Sequence, residues 1–364
     1  MTAGAPGTRR RRPWRWRLGA VVAVVALSGC SSVGYYAQAI DGHLDLVRRA
    51  RPVDDWLGHP DTPADLRERL RLAQRMRAFA TDVLALPDNR SYRSYVQLDR
   101  PVAVWNVVAA PELSLTLHTW CYPVLGCAGY RGYFDRGDAE VLAGELRARG
   151  LEVDVYGVPA YSTLGWTEWL GGDPLLSSFI RWPENELARL LFHELAHQMA
   201  YASGDTAFNE SYATAVERLG VARWREQRGL DSTADLALES RRRDFRELTS
   251  RTRAALVALY RSDADDDAKR RRKAEIYGDM RAELERLKRE RWGGYAGYDA
   301  WAMRANNATL GVQAAYDDLV PAFERLYERE GRDFVRLHEQ ARRLAALPAS
   351  ERRDTLANLM QERR

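Results

Sequence analysis

The stretch FHELAHQMAY places His193, Glu194 and His197 at a spacing that suits metal chemistry. Residues four apart on a helix share a face, so both imidazoles can reach one ion. Glu194, one residue round from His193, is then placed to act as general base towards an activated water. With only 6 histidines in 364 residues, two at this spacing beside a glutamate read as a metal site rather than as a helix that happens to carry them. The implied ion is zinc, although manganese or cobalt would accept the same donors.

A catalytic zinc takes three protein ligands and keeps one position open. The histidine helix is expected to start after Pro183, a residue tolerated at a helix N-terminus, and to break near Ser203-Gly204-Asp205. A second helix then begins near Thr206 with FNESYATAVERLG, and its first turn brings Glu210 thirteen residues after His197. Thr214 and Glu217 follow on the same face. Glu210 is the expected third ligand, and Glu217 is either an alternative ligand or a partner behind one. Two tyrosines could place a phenol near a scissile carbonyl. They are Tyr161, in VPAYSTLGW, and Tyr201, expected four residues past His197 on the same helix. Core packing is the competing reading for each.

The remaining chain must fold these segments together. Helical spacing runs through DGHLDLVRRARPVDDWL and TPADLRERLRLAQRMRAFATDVLAL. From Tyr95 onward the chain turns β-rich, with VAVWNVVAA, LSLTLHTWCY and YRGYF expected as strands. DAEVLAGELRARG then reads as a helix ending at Gly150, and Leu151–Tyr156 as an alternating strand. After Asp231 the pattern is almost all helical and charged. Asp263-Ala264-Asp265-Asp266-Asp267 lacks the Gly and Glu of a calcium loop, having Ala268 and Ala274 in those places, and reads as a turn whose acids lead into a helix. The expected fold is α+β, a small mixed sheet plus an active-site helix embedded in a predominantly helical body. Its divisions are residues 1–29, 30–95, 96–230 and 231–364, with the last packed on the core.

Residues 1–29 read as an export signal. Six arginines precede the apolar run Leu18–Leu27, which is too short to span a bilayer. The run closes on Leu27-Ser28-Gly29-Cys30, which resembles the lipobox of bacterial lipoproteins. That likeness makes Cys30 the lipid acceptor, and Ser31 and Ser32 favour the outer membrane, facing the periplasm. The formal charge of +4 includes those six arginines and no acid from residues 1–29, so the remainder carries −2. The basic balance therefore gives no support to nucleic-acid binding. Of the 3 cysteines, Cys121 and Cys127 remain, and an oxidising compartment favours a short-loop disulfide between them. His118 nearby reads as a strand histidine.

The Asn209-Glu210 pair resembles the Asn-Glu element on the second ligand helix of gluzincin metallopeptidases, which use two histidines and one glutamate as zinc ligands. The lipobox, GYYAQAIDGHLDLVRRARPV, YSTLGW, FHELAHQ, DTAFNES and the late NNATL…VPAF stretch occur in order. Together they resemble a bacterial family of zinc aminopeptidase lipoproteins across nearly the whole chain after the leader. The resemblance implies a zincin-like core, peptide-bond hydrolysis at zinc, and a strand at VPAYSTLGW along which a peptide pairs as an added strand. Asn306 and Asn307 then either line the cleft, cap a helix or sit at the edge of the core. The expected function is a zinc-dependent aminopeptidase acting on peptides and held to the membrane by its lipid. A metalloendopeptidase acting on envelope proteins, or a non-catalytic lipoprotein stapled by zinc, would share the same signals.

Overall fold

Prolines and short polar turns cut the early chain into helices whose apolar residues share one stripe. In the computed structural model, which describes residues 34–122, 126–160, 171–229 and 233–361, residues 34–49 form α1. Strand β1 (Arg51–Pro52), α2 (Val53–Gly58) and α3 (Ala64–Asp82) follow. The middle section holds β2 (Ser94–Val96), β3 (Val104–Pro111), β4 (Trp120–Tyr122), β5 (Gly126–Ala128), β6 (Arg131–Tyr133), α4 (Arg136–Ala148), β7 (Leu151–Val158) and β8 (Leu175–Leu176). Helices fill the rest: α5 (Glu184–Ala196), α6 (Thr206–Arg228), α7 (Thr233–Arg261), α8 (Asp266–Glu290) and α9 (Asp299–Arg304), then α10 (Asn307–Asp317), α11 (Val320–Arg329), α12 (Phe334–Ala346) and α13 (Ala349–Gln361).

The result is a mixed α+β fold, mostly helical, with small sheets. In one sheet β2 lies between β1, antiparallel to it, and β8, parallel to it. In another β3 is central, antiparallel to both β6 and β7. A hairpin of β4 and β5 is bridged by a Cys121–Cys127 disulfide. Leu46–Arg364 form one compact unit. Among the described residues no helix is long and apolar enough to cross a membrane.

The main core gathers α3, α5, α6 and the C-terminal helices. Met76, Phe79, Phe192, Leu195, Phe208, Tyr212 and Phe323 are all buried in it. A second apolar cluster lies between α7 and α8 and includes Trp292 and Leu310. Helix α10 bridges the two halves, packing on α6, β3 and α7. Its Gly311 allows that approach, because a Cβ there would lie 2.7 Å from the Leu115 carbonyl oxygen and 2.8 Å from Leu117 Cδ2.

Three sequence expectations change. LSLTLHTWCY is a strand only at its end, from Trp120; Leu115 and Leu117 do pack inward, but Leu117 packs beside α10 instead of taking a place in a ladder. His118 therefore lies outside a strand, with its ring edge-on to Trp120. The histidine helix ends at Ala196 with His197 as its cap, so Tyr201 is not on the helix at all.

One buried histidine ties the helical body together. The Tyr212 hydroxyl donates to His338 Nδ1 at 2.7 Å, and His338 Nε2–H donates to the Leu84 carbonyl at 2.8 Å. Burial pushes this imidazole down to about 4, so it is neutral when folded, while the unfolded chain protonates it near 6.5. The fold is therefore fully supported above about pH 6.5 and loses that support as pH falls from there towards 4. Between pH 7 and pH 4.5 the expected loss is about 2–3 kcal/mol. Urea unfolding of the native protein and of His338→Gln checks this. The variant should lose less by that amount, and equal losses would remove the assignment.

Candidate metal centre

Helix α5 is set in place by its apolar stripe. Leu187, Ala188, Leu191, Phe192, Leu195 and Ala196 are buried, which leaves Arg189, His193 and Glu194 on the other side. The turn after His197 is fixed by the next helix. Asn209 Oδ1 accepts from Ala202 N–H at 2.7 Å, and Asn209 Nδ2 donates to the Ala202 carbonyl at 2.9 Å. Asp205 caps α6 by accepting from Phe208 N–H at 3.1 Å, and Arg352 of α13 donates to the same carboxylate at 2.9 Å. With the turn clasped at both ends, α6 folds back along α5 and brings Glu210 over the histidines.

The three donors converge. His193 Nε2 lies 3.2 Å from His197 Nε2 and 3.2 Å from Glu210 Oε2, and His197 Nε2 lies 3.5 Å from the same oxygen. Tetrahedral zinc, with bonds of about 2.0–2.1 Å, needs donor–donor edges of about 3.3 Å. The donor set and its edges thus fit the ion. All three residues are largely buried, Glu210 and His197 at 7% exposure.

Electrostatics point the same way. Burial opposes charge on His193, but bonds to Glu210 and Glu217 and the nearby Glu194 outweigh it and raise its pKa well above the ordinary imidazole value. Burial likewise works against the Glu210 carboxylate, yet the two imidazoles hold it far below the usual range. A buried cluster with this demand for positive charge favours a cation.

Glu217 stands elsewhere. Its Oε2 is 3.2 Å from His193 Nδ1, on the far side of the ring from the donor triangle, and its Oε1 accepts from Arg189 at 2.8 Å. Arg189 in turn bonds Glu239 of α7. A carboxylate at Nδ1–H fixes the tautomer that leaves the Nε2 lone pair facing the triangle. His197 Nδ1, by contrast, is buried with no hydrogen-bond partner among the described residues. Glu194 is partly exposed and makes no hydrogen bond or ion pair among the described residues, and it lines a cavity of about 430 Å³ together with His193.

Phenols surround the centre. Tyr316 of α10 stacks on His193, with ring centroids 6.1 Å apart and planes at 21°. Tyr130, Tyr201 and Tyr316 have hydroxyl pKa values raised by burial and by the Glu210 charge, so they stay protonated donors. Tyr156 behaves similarly and is pushed up to about 12. Tyr201 is thus near the centre without sharing the helix. Tyr161 and Cys30 lie outside the described residues. Asn306 and Asn307 do not line the cleft. Asn306 caps α10 with a capping box, and Asn307 is fully buried, donating to the carbonyls of Pro111 and Glu112 and accepting from Tyr260.

Tyr316 and Arg189 escaped the sequence reading. Arg189 had a local signal, lying four residues before His193 on the same face. Tyr316 had only its place in the NNATL…VPAF stretch.

An α+β chain gathers two imidazoles and a carboxylate around one point where a metal ion could be held, beside a glutamate that has no hydrogen bond or ion pair among the described residues. A family model described as "Putative aminopeptidase" matches residues 34–356, and the chain belongs to that family. Membership supports a peptidase function in general terms. No curated protein and no solved structure matches the chain.

Proposed function

We propose that the chain is a zinc-dependent peptidase of the cell envelope, acting as an aminopeptidase. The observation that carries this is the convergence of His193 Nε2, His197 Nε2 and Glu210 Oε2 at 3.2–3.5 Å beside a glutamate with no hydrogen bond or ion pair among the described residues. A divalent ion held by these donors supplies Lewis acidity, which makes a water more acidic and a carbonyl more electrophilic. Glu194 takes the proton from the attacking water and delivers it to the leaving amine. Glu217 and Arg189 hold the His193 ring in register. Tyr201 and Tyr316 are the candidate donors to the oxyanion, and Tyr161 keeps that assignment from the sequence alone. Among the described residues three donors converge, the number a catalytic site takes, whereas a structural zinc is normally closed by four protein ligands. The envelope location rests on the leader with Cys30, and the Cys121–Cys127 disulfide accords with export to an oxidising compartment.

Cleavage profiling with matched free-amine and N-acetylated peptides, with and without chelator, tests the reading. Chelation should abolish cleavage and zinc restore it, and acetylation should lower cleavage by at least about tenfold, the scale of one lost charge-assisted contact. Equal cleavage of blocked peptides would make the protein a metalloendopeptidase. No cleavage by the zinc-loaded protein would leave zinc as a structural staple.

A further inference from the structure

The cavity beside the centre is also lined by arginines whose partners are unequal. His193 and Glu194 line it, and so do Arg218 of α6 and Arg246 of α7. Arg189 and Arg242, also in the lining, are matched by Glu217, Glu239 and Glu186. Arg246 is not. Its only ion pair among the described residues is with Asp317 at 4.0 Å, and Arg218 already holds that carboxylate at 2.6 Å. Among the described residues Arg218 also reaches Glu324 at 3.9 Å, and Glu239 and Glu324 act on Arg246 only at longer range, without an ion pair. Burial, and after it the Arg218 charge, lowers the Arg246 pKa, as expected of a guanidinium short of counter-charge.

A second observation points to a ligand. Thr214 lines the same cavity at 7% exposure, and its hydroxyl has no hydrogen-bond partner among the described residues. A buried polar group without a partner is costly unless something fills the space. An arginine presents five donors in a planar fork that matches a carboxylate. Arg246 makes no side-chain hydrogen bond among the described residues, so its fork is unspent.

We propose that Arg246, with Arg218 and Thr214 beside it, forms a carboxylate-binding subsite leading from the metal centre, so that peptides bearing a carboxylate close to the scissile bond are preferred. The carboxylate is either the C-terminus of a short peptide or an Asp or Glu side chain. This rests on the peptidase reading of the same site.

Calorimetry on zinc-loaded Glu194→Gln protein tests it with four free-amine probes. They are tetra-alanine and its C-terminal amide, and Ala-Ala-Glu-Ala-amide and Ala-Ala-Gln-Ala-amide. In at least one pair the carboxylate-bearing member should bind about 10–100-fold tighter, the range of one charge-assisted contact, and the pair affected identifies the source. Adding Arg246→Gln should bring the two members within about threefold of each other. Zinc content and circular dichroism report folding of that variant. If it does not fold, Arg246→Lys, which keeps the charge and loses the fork, should reduce the preference. The proposal falls if neither pair differs, or if the preference is undiminished in the folded variants. Cleavage of the same peptides by native protein separates the two readings. Turnover without a carboxylate preference removes the subsite alone, and a binding preference with no turnover removes the peptidase alone.

Discussion

Replacing Glu194 with Gln is expected to lower peptide turnover about a thousandfold, within the 10²–10⁴ range of a lost general base, while zinc stays bound. Both halves follow from position. The Glu194 carboxylate is outside the donor triangle and has no hydrogen bond or ion pair among the described residues, so the amide breaks no structural contact. A neutral amide, though, cannot take a proton from water near neutral pH. Steady-state cleavage and metal analysis of one preparation check both halves. Turnover that survives would remove Glu194 as the base, and loss of zinc with turnover would make it a structural residue.

The second large effect separates the two glutamates of α6. Glu210→Ala should weaken zinc binding by more than about 100-fold, because it deletes a ligand. Glu217→Gln should cost about 10–100-fold, the range for a partner that orients a ligating histidine. The ranking rests on placement: Glu210 Oε2 is within 3.2–3.5 Å of both Nε2 atoms, whereas Glu217 meets His193 at Nδ1. Competition against a chelating dye reads both affinities. The reverse order would move the ligand assignment to Glu217.

Much of this centre was legible because its logic is local. Helix geometry alone puts His193 and His197 on one face and Glu194 beside them. The Gly204-Asp205 break and the Asp205 cap lie within the same run of sequence, so Glu210 could be named as well. Glu210 and Glu217 share a helix face and could not be ranked from it. Only the packing of α6 on α5 decides which carboxylate meets the Nε2 atoms and which meets Nδ1. Tyr201 reached the neighbourhood of Glu210 by a turn instead of the expected helix.

The strand expected over LSLTLHTWCY failed for a physical reason. Alternating leucines at 115 and 117 signal a surface buried on one side, and the signal does not say whether a strand or a helix does the covering. Here Leu117 lies against α10. For Asn307 the sequence left cleft, cap and core edge open, and the structure decides: its amide joins β3 to the helices, with a hydroxyl from α7 on its oxygen.

The sequence by itself determined the face that His193 and His197 share, the place of Glu194 beside them, the helix that carries Glu210, and the α+β class, because each depends on spacing within a turn or two. The tertiary structure decided which glutamate faces which nitrogen, that Tyr316 stacks on His193, and that Arg246 is left short of a counter-charge near the centre. Those contacts join residues up to 123 positions apart, as His193 and Tyr316 are. Such pairs meet only through the burial of apolar faces on helices and strands far away in the chain, and no local spacing records that outcome.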